Sequence, residues 1–490
     1  MRMADTPSVL FTVSPLTMLA TRTLRAGLEA VDLLLVAIRF FTSAFGRLVL
    51  LAASRPPRPR PKVVIVGASF AGLWAQRELS GRFDVTLIDM KEYFEYTPGV
   101  LRAFVEPSHL FSIAKKLPSK RCQVIVGYVQ RVRPDRVEVM TRSANADDGS
   151  KEVISVPFDY LLLAPGSAYN GNYDGRDVVK VDVASEQTSL ESRMRCWQAE
   201  AARLRDAESA IVVGGGPVGV ELAAEIAAAY PAKRVTLVSR SRRLCATLPE
   251  TVGSFAQRWL ERHRVEVLTG AATQGAPSQD GRSITLVETP SPGSRVTRSR
   301  ASTGRILTAD VIYNCACATP NTAMLRDDFA GHLDERGRLV VNDHLQIEGY
   351  PHIFGMGDAI IHPPSDELKL GHTAELNAHV VVANVIKLSE GADVAELERY
   401  PEGAHGCATS PRVYCVSLGK HAAVMSFNGV VLGGWLPAIM KWLLEWTKVA
   451  ACEERPVGTL FWKFADAQTA WITRYLLPVS EAKAGAAKSA

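Results

Sequence analysis

Two glycine-rich stretches have the residue types and spacing that bind dinucleotides. The first, VVIVGASFAG, places Gly67 and Gly72 between an apolar segment and a helix-forming one, and the second is AIVVGGGPVG at 210–219. The first glycine of such a turn permits the bend, and the last lets helix and strand pack closely. The helix N-terminus then offers free N–H groups to phosphates. Two such motifs in order predict two nucleotide sites, whereas one alone is a weak indication.

The first stretch departs from the usual pattern at its middle position. Ser69 stands where the second glycine of G-x-G-x-x-G is expected. Its side chain crowds the turn, but its hydroxyl can donate a hydrogen bond to phosphate. Asp89 ends the following strand, where a carboxylate binds ribose hydroxyls. The alternative is a Rossmann-like turn that binds no ligand.

The second stretch has all three glycines but lacks the acidic residue. Its second strand ends in Ser239, and Arg240, Arg242 and Arg243 follow. An acid at this place favours the 2′-hydroxyl of NAD, whereas arginines accommodate the 2′-phosphate of NADP. We therefore expect NADPH as the donor, or use of both nucleotides. The alternative is that the arginines form a solvated loop.

Composition limits the classes of function. The 490 residues allow two or three domains, and the net charge is only +5. The basic run at 55–62 has no interleaved aromatic residues, so we expect no nucleic-acid binding. Eight cysteines form no C-x-x-C pair and no zinc-type spacing, which predicts free thiols in a reducing compartment and no metal site.

Both ends of the chain carry apolar segments with helical spacing. Residues 28–53 are apolar but interrupted by Asp32, Arg39 and Arg47, which favours an interfacial helix or a transit segment over a spanning one. The alternative is a helix packed on the protein's own core. Residues 271–304, like 141–152, are polar and predict surface loops. From about residue 391, short strands precede a tryptophan-rich tail.

The tail segment 434–450 predicts an amphipathic helix. One face carries apolar side chains and the charged residues lie elsewhere, which suits a bilayer interface. The alternative is a dimer or domain interface. The apolar residues are Ile439, Trp442, Leu443 and Trp446, and the charged ones are Lys441, Glu445 and Lys448.

Three further motifs resemble those of a known enzyme family. FDYLLLAPGS at 158–167 resembles the strand-plus-ATG segment of two-dinucleotide flavoproteins, with Pro165 in place of threonine. HIFGMGDA at 352–359 resembles their second flavin signature, and ACATPNTAML at 316–325 resembles their inter-domain segment. Over residues 62–390 the chain resembles the pyridine-nucleotide oxidoreductases, most closely the apoptosis-inducing-factor-like and ferroptosis-suppressor quinone reductases, relatives of type II NADH dehydrogenases.

The resemblance implies an α/β fold with two Rossmann-like dinucleotide-binding domains of the glutathione-reductase-like type and a small C-terminal α+β domain. The FAD-binding domain is then expected at 61–180 and 315–390, and the NAD(P)H-binding domain at 181–314. Residues 1–60 would be a targeting or amphipathic extension with a linker, and 391–490 a C-terminal domain with a membrane-associating tail.

The resemblance also implies roles for individual residues. Glu221 is expected near nicotinamide and flavin, and Lys369 beside the flavin ring, where a cation stabilises the reduced anion. The alternatives are a helix-start carboxylate and a surface lysine. The residues expected to bind FAD are Gly67, Ala68, Ser69, Phe70, Ala71, Gly72, Asp89, Arg102, Ile125, Gly166 and Asp358. Those expected to bind NAD(P)H are Gly214, Gly216, Gly219, Ser239, Arg240 and Arg242.

The sequence lacks the redox cysteine pair of the disulfide reductases, and Tyr96-Thr97-Pro98 occupies the expected flavin-facing position. We therefore predict a membrane-associated FAD-dependent NAD(P)H:quinone oxidoreductase, in which both terminal segments contact the membrane. Its expected place is the mitochondrion, or the cytosolic face of lipid droplets or another organelle. The alternatives are a reductase of a small electron-carrier protein and an apoptosis-inducing-factor-type signalling flavoprotein. A homodimer is left open.

Overall fold

The computed structural model describes most of the chain beyond residue 58. It covers residues 59–142, 151–169, 187–275, 280–288, 304–316, 318–365, 367–405 and 411–477, with residues 31, 180 and 278. The predicted N-terminal helix over 28–53 lies outside the described residues, apart from Val31.

The first glycine turn lies at the carboxyl end of a central parallel strand. That strand, β1, pairs in parallel with β2 on one side and β8 on the other, and β5, β6 and β7 extend the sheet. Val63 to Val66 are all buried, because helices or loops cover both faces of a parallel strand. The elements are β1 (Lys62–Val66), α1 (Phe70–Leu79), β2 (Asp84–Asp89), β3 (Tyr93–Glu95), a 3-10 helix (Thr97–Phe104), a second (Pro107–His109), α2 (Leu110–Ile113), β4 (Ala114–Lys116), β5 (Gln123–Val132), β6 (Arg136–Arg142), β7 (Lys151–Pro157), β8 (Tyr160–Leu163) and β9 (Ser167–Tyr169).

The second glycine turn lies in a smaller parallel sheet whose strand order is β12-β11-β10-β16. Its elements are α3 (Leu190–Asp206), β10 (Ser209–Val213), α4 (Pro217–Ala229), β11 (Arg234–Ser239), α5 (Glu250–Arg262), β12 (Val265–Thr269), β13 (Ala271–Gln274), β14 (Ser283–Glu288), β15 (Arg305–Thr308) and β16 (Val311–Asn314). Strands β13–β15 form an antiparallel sheet, so the loop prediction over 271–304 is wrong for 271–274 and 283–288. Ile284 and Leu286 alternate with polar neighbours and are buried there.

The chain then returns to the first sheet. Strand β20 pairs in parallel with β8, and β17 pairs antiparallel with β9. The first unit is therefore built from two parts of the chain that the second unit separates. The elements are β17 (Ala318–Pro320), two 3-10 helices (Ala323–Leu325 and Ala330–His332), β18 (Leu339–Val340), β19 (Gln346–Ile347), β20 (Tyr350–Gly355), a 3-10 helix (Gly357–Ala359), β21 (Ile360–Ile361), α6 (Gly371–Ser389) and a 3-10 helix (Val394–Glu396).

The C-terminal region is a three-stranded antiparallel sheet followed by two helices. It comprises α7 (Glu402–His405), β22 (Val413–Leu418), β23 (Ala422–Phe427), β24 (Val430–Gly434), α8 (Trp435–Cys452) and α9 (Pro456–Tyr475). The short strands predicted there are confirmed. So is the predicted α/β class with two nucleotide-binding-type units and a small α+β region.

The prediction that the apolar face of α8 points outward is wrong. Trp446 is buried, and Ile439, Trp442 and Leu443 are half-buried. Lys441, Glu445 and Lys448 also turn inward, where each pairs with a residue of the preceding units. The helical spacing shows that a helix has two faces, but it does not show which face meets the core.

Candidate functional site

The first glycine turn leaves no room for side chains at its two glycines. Gly67 has φ +102°, and a Cβ there would lie 2.0 Å from the carbonyl oxygen of Ala164. A Cβ at Gly72 would lie 1.8 Å from the carbonyl oxygen of Gly67. The approach of Gly72 to Gly67 holds the start of α1 against the end of β1, and the approach of Gly67 to Ala164 holds the turn against the end of β8.

Ser69 fits the turn without strain. It is the N-cap residue of α1 with φ −108°, and its hydroxyl makes no cap hydrogen bond. Gly216 is the N-cap residue of α4, and a Cβ there would meet no atom within 4 Å. The middle position of the second turn therefore faces open space, and Ser69 at the same position of the first turn lines a cavity.

A cavity of about 500 Å³ begins at the first turn. This volume is in the range of about 300–1,000 Å³ typical of cofactor sites. Residues of the first unit, the start of α4 and the C-terminal region all line it. They include Gly67 to Gly72, Asp89, Gly127, Gly166, Asp358, Lys369, Pro217, Glu221, Cys415 and Lys441.

The two predicted carboxylates lie in this cavity. Asp89 accepts hydrogen bonds from the backbone N–H groups of Ala68 at 2.7 Å and Lys91 at 2.9 Å, which fixes it beside the turn. Asp358 accepts from the hydroxyl of Ser167 at 2.8 Å and lies 3.3 Å from the Lys180 ammonium. The glycine backbone, the helix N-terminus and these acids fit the phosphates and polyol hydroxyls of FAD.

Two residues predicted to bind FAD do not line the cavity. Arg102 pairs with Glu225 on α4 at 3.2 Å. Burial lowers the pKa of Arg102, but Glu225 more than offsets this and leaves it raised. Ile125 lies on β5, and Gly127, Tyr128 and Val129 line the cavity in its place. The resemblance to a known family indicated this strand, but not which of its residues line the cavity.

The second turn repeats the close packing of the first. Gly214 has φ +126°, and a Cβ at Gly219 would lie 1.9 Å from the carbonyl oxygen of Gly214. The second turn's glycines lie outside the lining of the cavity, whereas Pro217, Val218 and Glu221 of α4 belong to it. A nucleotide at this turn therefore reaches the cavity along the start of α4.

The basic residues after β11 divide into two groups. Arg243 donates to the carbonyl oxygens of Leu248, at 2.8 Å, and Ala246, so it holds a loop. Arg240 and Arg242 have exposed side chains at the strand's carboxyl end. Ser239 is buried, and its hydroxyl donates to the Ser241 carbonyl at 3.0 Å.

Both predicted catalytic residues line the cavity. Lys369 donates to Glu367 at 2.8 Å. Glu221 accepts, through one oxygen, from the Ser417 N–H at 2.8 Å and the Lys441 ammonium at 2.7 Å. Neither Ser417 nor Lys441 was predicted from the sequence to lie in the site. A lysine on a helix face opposite tryptophans was the available signal, and we interpreted it as an interfacial charge.

Within the described residues, the cavity holds no pair of cysteines. Of the three residues predicted to face the flavin, Thr97 and Pro98 line the cavity and Tyr96 does not. Cys415 is its one cysteine in that part of the chain. Burial raises the pKa of Cys415 to about 11, which keeps the thiol protonated.

Comparisons with known proteins agree with this geometry. Residues 61–378 match the family described as pyridine nucleotide-disulphide oxidoreductase. The chain is 27% identical over 384 residues to ferroptosis suppressor protein 1 of Mus musculus, covering 77% of this chain and 92% of the mouse protein. It is 25% identical over 352 residues to apoptosis-inducing factor homolog B of Dictyostelium discoideum, covering 70% and 84%. The predicted resemblance is confirmed.

Solved structures share the fold. NDH2 of Plasmodium falciparum in complex with NADH aligns with a TM-score of 0.61 at 13% identity, over 86% of this chain and all of that one. The sulfide:quinone oxidoreductase of Aquifex aeolicus aligns with a TM-score of 0.61 at 14% identity, over 85% and 95%.

Two glycines of the second turn separate folding from binding. We expect Gly219→Ala to destabilise the protein by several kcal/mol, because its Cβ would overlap the Gly214 carbonyl. Gly216→Ala should leave the unfolding temperature unchanged, because its Cβ points to open space. It should weaken nucleotide binding at least about tenfold, because that Cβ occupies the space left for the pyrophosphate. Thermal unfolding and NAD(P)H titration of both variants check this. Equal loss of stability in both would contradict it.

Proposed function

This chain belongs to the family of pyridine nucleotide-disulphide oxidoreductases and is an oxidoreductase, and we propose that it transfers electrons from NAD(P)H through bound FAD directly to a quinone. The observation that carries the proposal is that both nucleotide-binding units reach one shared cavity. The first glycine turn and the helix of the second turn both reach it, and no cysteine pair lies in its described lining.

The first unit supplies the groups that hold FAD. The N-terminus of α1 offers N–H groups to the phosphates, and the Ser69 hydroxyl adds a donor. Asp89 accepts from ribose hydroxyls, and Asp358, held by Ser167, accepts from the ribitol chain. When bound, FAD supplies the chemistry of accepting a hydride and releasing two electrons.

The second unit supplies the groups that bind the electron donor. Gly216 leaves space for the pyrophosphate at the start of α4. Ser239 replaces the acid that selects NAD, and Arg240 and Arg242 favour a 2′-phosphate. NADPH is therefore the preferred donor. Glu221, one turn into α4, lies where the two units meet at the cavity.

Lys369 gives the cavity wall a positive charge. Lys369 lines the cavity together with Gly371 at the start of α6, where a Cβ would contact the Phe70 ring at 3.1 Å. A fixed cation in a site sheltered from water stabilises negative charge that develops on reduction. The ion pair with Glu367 keeps the side chain in place.

A quinone dissolved in lipid requires contact between the enzyme and a membrane. Helix α9 offers an apolar stripe at spacings of four and seven residues, formed by Leu460, Phe464, Trp471 and Tyr475, each more than half exposed. Lys463 and Arg474 flank the stripe. Within the described residues, no helix is long and apolar enough to cross a membrane. We propose that α9 lies in the membrane interface.

The absence of a cysteine pair can be tested chemically. NADPH-dependent reduction of a soluble ubiquinone analogue should be unchanged after the reduced protein is treated with a dithiol-specific arsenical, because no dithiol takes part. Glutathione reductase treated in parallel should lose its activity. Inhibition of this protein by the arsenical would contradict direct transfer.

The donor preference can be tested with the two exposed arginines. Replacing Arg240 and Arg242 by Gln should raise KM for NADPH about tenfold or more and leave KM for NADH within about twofold, since only NADPH carries the 2′-phosphate. Steady-state kinetics with both donors measure this. An equal rise for both donors would reject the phosphate-binding role.

The membrane contact can be tested with matched apolar substitutions. Phe464→Ser with Trp471→Ser should reduce co-sedimentation with phospholipid vesicles at least about fivefold, because both remove buried apolar area from the bound state. The control is Ile306→Ser, which removes an exposed apolar side chain on β15. Unchanged binding together with a change from dimer to monomer would make the stripe a subunit interface instead.

A further inference from the structure

Helix α8 turns a charged face toward the nucleotide-binding units. Lys441, Glu445 and Lys448 follow at spacings of four and three residues, and each is 13–15% exposed. Their partners are Glu221 on α4 at 2.7 Å, His109 at 3.5 Å and Glu375 on α6. One helix of the C-terminal region is thus paired with residues from three places in the rest of the protein.

The first of these pairs differs from the others in its place. Lys441 and Glu221 both line the large cavity. Lys448 and Glu375 do not line it; they line a smaller cavity of about 40 Å³, whose lining shares Ser69 and Phe70 with that of the large one. A buried ion pair is weak evidence for stability, because removing two charges from water costs about as much as their attraction returns. A role in the site is therefore the better explanation of the first pair.

One of the two oxygens of the Glu221 carboxylate is available to a ligand. Oε1 accepts from the Ser417 N–H at 2.8 Å and from the Lys441 ammonium at 2.7 Å. Both donors come from the C-terminal region. Oε2 makes no hydrogen bond to the residues that the structure describes, so it can accept one from a donor in the cavity.

We propose that Lys441 is a positioning residue of the electron-transfer site, which holds Glu221 ionised and in one orientation against the cavity. This inference rests on the proposed function, because it concerns the place where donor and flavin meet. An ionised carboxylate only accepts hydrogen bonds, whereas a protonated one also donates. Lys441 therefore determines whether Glu221 only accepts a hydrogen bond from a bound nucleotide or can also donate one.

None of the other titratable groups named around the pair supplies a cation for Glu221. Cys415 on β22 and Cys245 after β11 face the pair, and burial raises their pKa values to about 11 and about 12. Burial also raises the pKa of Tyr96. Glu225, one turn further along α4, already pairs with Arg102.

The Lys441 amine stays charged despite its burial. Burial lowers its pKa, but the charges of Glu221 and Glu225 more than offset this and leave the pKa raised. Lys441 therefore remains a cation through the neutral range. Without the cation, a buried carboxylate takes up a proton rather than remain charged.

The test compares Lys441→Met with Lys448→Met. Lys448→Met removes the equivalent buried cation seven residues along the same helix, away from the large cavity. We expect Lys441→Met to slow flavin bleaching by NADPH at pH 7 about tenfold or more. The rate should then rise with pH, as Glu221 regains its charge. Lys448→Met should stay within about twofold of wild type with an unchanged pH profile, and Lys441→Arg should restore most of the rate.

A second readout does not depend on turnover. In Lys441→Met the folded protein binds a proton at Glu221 that the unfolded chain has released at neutral pH. Its unfolding temperature, measured on the purified full-length protein, should therefore fall relative to wild type as the pH rises from 5 to 8. Adding Glu221→Gln should remove that pH dependence, because the titrating group is gone.

The outcomes separate the two claims. Equal kinetic losses in Lys441→Met and Lys448→Met, with unchanged pH profiles, would overturn the positioning role and leave a structural one. A wild-type flavin that neither NADPH nor NADH bleaches would overturn the proposed function instead. In that case the pH dependence of unfolding still decides whether Lys441 keeps Glu221 ionised.

Discussion

The contact between the start of a helix and the end of the preceding strand is the constraint on which the site depends. At each glycine turn, a Cβ on the last glycine would lie less than 2 Å from the carbonyl oxygen of the first. Only glycine permits this approach, and it directs the N–H groups of α1 and α4 out of their sheets. Asp89, which accepts from the Ala68 N–H, is also positioned by the first of these turns.

The C-terminal region completes the cavity that the two turns begin. Its strand β22 and helix α8 each bring a donor to Glu221, through Ser417 and Lys441. Helix α9, which follows α8, carries the exposed apolar stripe. The same short region therefore contacts the place where we propose that the two nucleotides meet, and it carries the stripe that we propose for the membrane. This arrangement suits an enzyme with a lipid-soluble acceptor.

Local patterns predicted much of the fold and of the cavity. The two turns, the C-terminal strands and the cavity position of Asp89 followed from motifs in which neighbouring residues determine the geometry. The resemblance to a known family implied the places of Asp358, Glu221 and Lys369, all of which line the cavity. The strand pattern at β14 was hidden by the polar residues around it. Ile125 and Arg102 were assigned to the site, yet the side chains that face it depend on how distant segments pack.

The inward face of α8 shows most clearly what sequence reasoning missed. Lys441 and Glu221 are separated by 220 residues, and no periodicity in either helix relates them. A helix with tryptophans on one face and lysines on the other is amphipathic whichever face is buried. Here the charged face is buried because carboxylates on α4 and α6 meet it, and those partners become visible only in three dimensions.

The most direct test of the account is anaerobic stopped-flow spectroscopy of the purified protein's flavin absorbance. The protein is mixed first with NADPH or NADH and then with a soluble ubiquinone analogue. We expect the flavin absorbance to bleach rapidly, and faster with NADPH than with NADH. It should recover at a rate that increases with quinone concentration, without any added carrier protein. Absence of bound flavin, or a reduced flavin that quinone fails to reoxidise, would contradict it.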